Sequence, residues 1–154
     1  MTWELEGEEH FAAPVERVFA LLTDLRVVAD LIPDLESCEV DGQGMLRCVV
    51  RPGFSFLRGT LRLTIRIEPV PEERQAVMHV TAEGIGTGME IRSTLVLEHS
   101  AGGTRLKWRA EVDRVRGLLA AVSPALIQAA AAKVMANGWE QLRHRLAASD
   151  TPPL

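Results

Sequence analysis

The sequence predicts an α+β domain in which an antiparallel sheet of about six or seven strands wraps around one long C-terminal helix. Three observations carry this. Between Leu35 and Val115 apolar and polar residues alternate with period two, in successive runs separated by short turn signals. No interval between those runs is long enough for a helical crossover, so neighbouring strands are expected to be antiparallel. One long segment with helical spacing follows, opened by Ser123-Pro124, and a sheet with one apolar face needs an element of that length to cover it.

The elements follow in order. Trp3, Leu5, Gly7 and Phe11 alternate with Glu4, Glu6, Glu8 and His10, which reads as a half-buried strand with Glu9 on its inward face. Pro14 suits the first position of a helix in which Val15, Val18, Phe19 and Leu22 recur at helical spacing. Asp24 is placed to cap a second short helix carrying Val27, Val28 and Leu31. Pro33 ends it, because proline pushes the preceding residue out of helical torsions. Strands are then expected over Leu35–Val40 and Met45–Arg51, joined by the turn Asp41-Gly42-Gln43-Gly44.

Leu61, Leu63, Ile65 and Ile67 against Arg62, Thr64, Arg66 and Glu68 give the clearest alternation. The next strand, Ala76–Glu83, runs into the glycines Gly84, Gly86 and Gly88. Met89, Ile91, Ser93, Leu95 and Leu97 then share one face. After the turn at Ala101-Gly102-Gly103, Leu106, Trp108, Ala110 and Val112 share a face opposite Arg105, Lys107, Arg109 and Glu111. The helix is expected over Pro124–Leu146, with Ile127, Ala130, Ala131, Val134, Gly138 and Leu142 on one stripe. Arg143, His144 and Arg145 sit in its last turns, where positive charge suits the helix dipole. Residues 1–147 are thus read as a single domain and 148–154 as a flexible tail.

Composition narrows the function. The chain has 21 acidic against 17 basic residues, a net charge of −4, which argues against nucleic acid as the main partner. Cys38 and Cys48 fit no zinc spacing and are read as reduced thiols, as in a cytoplasmic protein. Met1 leads into Glu4, Glu6, Glu8 and Glu9, unlike a signal peptide, and apolar stretches stop well short of the ~20 residues of a spanning helix. No metal-binding or nucleophile signature is present, so no cofactor and no catalytic residue are assigned. His10, His79, His99 and His144 fall at wet positions.

The inward stripe of the final helix is small: Ala130, Ala131, Val134 and Gly138. Small side chains facing a sheet either permit close packing or leave space. A curved sheet leaves a gap near the helix ends, so a ligand cavity is the preferred reading. Its candidate lining from the sheet is Cys48, Met78, Met89, Ile91, Ser93, Trp108 and Ala110, mixed in size and with flexible methionines. Two apolar loops, 52–57 and 117–122, contribute candidate gate residues Phe54, Phe56, Leu118 and Leu119, together with Gly86 of the glycine-rich turn. The competing account tucks both loops into the core or into a homodimer interface. Arg47, Arg51, Arg58, Arg62 and Arg66 recur on wet faces, either as a solvated face paired to acids or as a docking patch.

The order and spacing of these elements resemble the START-like, or SRPBCC, helix-grip superfamily. The opening Phe11-Ala12-Ala13-Pro14-Val15-Glu16-Arg17-Val18-Phe19, then Leu22-Thr23-Asp24 and Ile32-Pro33, look like its strand-to-helix signature. Within it the chain is similar to the family of the carbon monoxide dehydrogenase G subunit. Ile32-Pro33, the segment 52–59, the glycines Gly84, Gly86 and Gly88, Gly103-Thr104-Arg105-Leu106 and the stretch from Gly117 into the helix carry that likeness. Members usually have Gly-Cys after Ile-Pro, where Asp34 and Leu35 stand here. The resemblance implies binding of a hydrophobic molecule such as a lipid, isoprenoid or quinone, and contact with a membrane or a redox enzyme. A cyclase- or dehydratase-like enzyme is the alternative; the few polar inner residues, Ser93, Cys48 and Glu9, favour a non-catalytic binder.

Overall fold

The structure, a computed structural model, describes residues 3–53 and 59–149. Its elements are β1 (Trp3–Phe11), α1 (Val15–Leu22), α2 (Leu25–Leu31), β2 (Leu35–Val40), β3 (Leu46–Val50), β4 (Leu61–Val70), β5 (Gln75–Gly84), β6 (Thr87–Ser100), β7 (Gly103–Gly117) and α3 (Pro124–Ser149). Short 3-10 turns lie at Pro71–Glu73 and Leu118–Ala121. The strands make one antiparallel sheet in the order β1-β7-β6-β5-β4-β3-β2. This is the helix-grip arrangement, with two short helices after the first strand. Because β1 and β2 lie on opposite edges, α1 and α2 carry the chain from one edge to the other.

Local chemistry fixes the element ends. Asp24 accepts from the Arg26 N–H at 2.9 Å and caps α2. Pro14 stands as the N-cap of α1 rather than inside its first turn. β7 runs longer than its alternation suggests, because a register shift opposite Gly88–Glu90 absorbs the change of pattern. Arg114, with φ 52°, sits at that bulge, where an extra residue bends the strand. The helix α3 continues past Leu146 to Ser149; residues 150–154 of the expected tail lie outside the described residues.

Strand parity places the apolar rows inward. One row crosses the sheet as Ile67, Met78, Ser93, Ala110 and Leu5. The next is Ile65, Val80, Ile91, Val112 and Trp3. Gly7 faces Trp108 across β1 and β7, and a Cβ there would stand 2.6 Å from the indole, so the ring packs directly on the glycine. The outer face is charged and paired: Arg105 reaches Glu8 at 2.8 Å and Arg109 reaches Glu4 at 2.6 Å.

The core has three parts, and their positions decide where space is left. The C-terminal half of α3 packs through Trp139, Leu142 and Leu146 against Phe11, Val15, Val18, Leu95, Leu97 and Leu106. A second cluster joins Val28 and Ala29 of α2 to Leu46, Cys48 and Ile65. A third holds the start of α3 through Ile127, against Trp3, Val112 and Leu119. Polar ties reinforce the C-terminal end: Arg143 pairs with Glu9 at 2.9 Å, and Arg145 with Asp30 at 2.6 Å. Inward Glu9 is thus a half-buried ion-pair partner. Between the two anchored ends of α3, Ala130, Ala131 and Met135 are only partly buried, and no large side chain among the described residues fills the interval beneath them.

Candidate functional site

That interval is a cavity of about 310 Å³ lined by the sheet, α2 and α3. From the sheet, Met78, Met89, Ile91, Ser93 and Ala110 line it; from the helix, Ala130, Ala131, Val134 and Gly138. The small helix residues keep the backbone of α3 from carrying bulk into the space. Cys48 and Trp108 face inward but stand outside the cavity. Cys48 is packed among Val28, Ala29, Leu46 and Ile65, in a neighbouring part of the core. Trp108 lies over Gly7 with its ring 6.2 Å from that of Trp139.

Some lining residues carry no alternation or small-residue signal. Leu31, Ile32, Pro33 and Asp34, at the end of α2, form one wall. Asp34 is exposed, has φ 60°, and its carbonyl accepts from the Arg51 N–H at 3.0 Å, which fixes the start of β2 beside the end of β3. Trp139, one residue beyond Gly138, presents its ring to the space while its indole N–H is buried without a partner among the described residues. The lining has three side chains with polar atoms, Asp34, Ser93 and Trp139, and none from lysine, arginine or histidine among the described residues.

Of the expected gate residues, Leu119 is buried at 2% exposure and lines the cavity. Gly86 turns β5 into β6 with φ 65°, and its carbonyl oxygen abuts Gly117, where any Cβ would collide with it. The glycine-rich turn therefore lies beside the 3-10 turn that carries Leu119. Phe54, Phe56 and the Leu118 side chain lie outside the described residues. At the same end Ile85 is 98% exposed and Leu126, in the first turn of α3, is 54% exposed.

The histidines are elsewhere. His10 is 2.7 Å from the Ser100 hydroxyl, His79 is 3.5 Å from Glu68, and His144 is 3.6 Å from Glu140, all away from the cavity. Among the described residues no cluster of His, Cys, Asp and Glu could hold a metal ion. Arg47 pairs with Asp41 at 2.9 Å, Arg51 with Glu36 at 2.7 Å, and Arg66 with Glu68. These pairs offset the charge of Arg47, Arg51 and Arg66; Arg62 has no ion pair among the described residues, and Arg58 lies outside them. No helix among the described residues is long and apolar enough to cross a membrane.

Cys38 and Cys48 are direct cross-strand partners on β2 and β3, the first exposed and the second buried. Burial, and then the nearby Cys38, push the Cys48 thiol up from 9.0 to about 11. A thiol that keeps its proton when folded favours the folded state below the unfolded value, and that stability is lost as pH rises toward 11. Iodoacetamide at about pH 8 should therefore alkylate Cys38 alone in the native protein, and Cys48 only after unfolding. Equal native labelling of both, read by peptide mass spectrometry, would place Cys48 at the surface.

Residues 7–147 match the family model for CoxG, the G subunit of carbon monoxide dehydrogenase. No curated protein matches the chain. Among solved structures, a conserved protein from Geobacillus kaustophilus is similar with TM-score 0.86 and 18% identity, over 96% of this chain and 97% of that one. A START superfamily protein from Mycobacterium smegmatis is similar with TM-score 0.66 and 16% identity, over 92% and 95% of the two chains. Norcoclaurine synthase from Thalictrum flavum, solved with dopamine and hydroxybenzaldehyde, is similar with TM-score 0.66 and 17% identity, over 99% and 90%. At these identities the likenesses show the START-like fold.

Proposed function

The chain belongs to the CoxG family, that of the carbon monoxide dehydrogenase G subunit, and on that premise we propose that it is a non-catalytic binding or carrier domain for a hydrophobic small molecule. A lipid, an isoprenoid or a quinone would suit the space. The observation that supports this most is the cavity of about 310 Å³ with a nearly wholly apolar lining. That volume falls at the lower end of small-molecule sites, so it suits one compact ring or part of a longer chain. A cyclase- or dehydratase-like enzyme needs an acid or base beside its substrate. Among the described residues the ionisable side chain in the lining is Asp34, which is exposed.

Loading requires the apolar body to leave a membrane or a protein partner. In this account the end that carries Ile85, Leu119 and Leu126 touches a membrane, or a redox enzyme that the domain serves in the cytoplasm. The test uses donor liposomes carrying a pyrene-labelled isoprenoid and acceptor liposomes carrying a quencher. The protein should accelerate transfer, and Ile85→Ser with Leu126→Ser should slow it about tenfold with little change in melting temperature, since both side chains are exposed. Transfer at the wild-type rate by the double variant would remove this end from the loading route. No acceleration by the wild-type protein would contradict the carrier function itself.

A further inference from the structure

We infer that Ser93 is the hydrogen-bonding anchor of the cavity and that it selects a ligand bearing an uncharged oxygen on an apolar body. This rests on the carrier function above and adds to it the chemistry of the cargo. Ser93 is 8% exposed and lines the cavity. Its hydroxyl makes no hydrogen bond with any described residue. In register it stands between Met78 of β5 and Ala110 of β7, and neither offers a hydrogen-bonding partner of ordinary strength. The backbone groups of these strands pair with one another in the sheet ladder. The space in front of the residue is therefore where its hydroxyl can find a partner.

Packing does not account for this serine. Alanine would fill the position as well, and the hydroxyl adds a donor and an acceptor at the cavity wall. A group held inside the cavity is placed to pair with it. Charge then narrows that group. No lysine, arginine or histidine among the described residues lines the space, so an anion drawn down to Ser93 meets no counter-charge. Among the described residues a cation meets only Asp34, and that carboxylate is exposed to solvent, where it is better left hydrated. A carbonyl, hydroxyl or ether oxygen carries no such penalty. A site that hydrogen-bonds a ligand oxygen discriminates well against an analogue lacking it, because the buried polar group is then left unpaired.

The experiment compares 2-dodecanone, dodecane and dodecanoate as competitors of a bound fluorescent apolar dye, on wild-type protein, Ser93→Ala and Ser93→Thr. Ser93→Ala should weaken 2-dodecanone about five- to tenfold, the worth of one neutral hydrogen bond. Dodecane should bind Ser93→Ala as well as wild type or better. Dodecanoate should be indifferent to the change, because its carboxylate stays in water. Ser93→Thr keeps a hydroxyl and should restore most of the ketone affinity. An equal effect of Ser93→Ala on ketone and hydrocarbon, or none on either, overturns the anchor while leaving the cavity in place. A loss for dodecanoate as large as for the ketone overturns the neutrality of the bound group. Failure of all three to compete with the dye on wild-type protein sinks the carrier function, and the anchor with it.

Discussion

Trp139→Ala should cost about 3–5 kcal/mol of unfolding free energy, read from urea denaturation. Trp139 is 6% exposed and belongs to the core cluster that ties α3 to α1, β1, β6 and β7. Its ring meets Phe11 edge-on at 6.2 Å and Trp108 at a tilt, also at 6.2 Å. Truncation removes this aromatic contact together with the transfer free energy of a large side chain. The site cannot close over the loss, because the ring already borders the cavity and the void would simply enlarge. The indole N–H has no partner among the described residues, so the truncation breaks no hydrogen bond and the cost is one of packing. Trp139→Phe keeps most of that packing and removes the stranded donor, and it should cost clearly less. A loss below about 1 kcal/mol for the alanine variant would place the ring on the surface.

Ala110→Phe should abolish ligand binding, weakening an apolar probe about a hundredfold or more, while leaving the fold intact. Ala110 is 4% exposed and its side chain borders the cavity beside Ser93. In a close-packed core such a change forces off-rotamer side chains and costs about 1–3 kcal/mol. Here the added ring has the cavity to enter, and phenylalanine suits a strand better than alanine does. Melting temperature should therefore hold or rise as binding disappears. A large fall in melting temperature with binding retained would mean that the space in front of Ala110 is already filled.

Much of this architecture can be read from the residues, because period-two alternation sets which face of a strand is apolar. Ser93, Met78 and Ala110 are read as inward from their own strands, and pairing then sets them side by side. Parity says nothing of position along the sheet. Cys48 and Trp108 share the inward face with the lining residues, yet the curvature of the sheet brings α2 onto one and the β1 backbone onto the other. Gly7 breaks the apolar run of its strand, but nothing local tells that an indole lies on it. The wall at Leu31–Asp34 is equally hidden, since a helix stop signalled by Pro33 does not say what the stopped chain faces. The small stripe of α3 points to space beneath Ala130 and Ala131. Trp139 interrupts that stripe in sequence, and its role appears only when α1 and β1 close against the helix. Arg47, Arg51 and Arg66 look like part of a patch until the fold brings Asp41, Glu36 and Glu68 beside them.

The presence of a cargo in the cavity is tested most directly by native mass spectrometry of the intact protein, purified without detergent and incubated with a total membrane lipid extract. The wild-type chain should carry one non-covalent apolar molecule that is released into organic solvent, and Ala110→Phe should stay at its bare mass under the same conditions. Wild-type protein that remains at its bare mass, or an adduct that survives unchanged in Ala110→Phe, would contradict a ligand held between the sheet and α3.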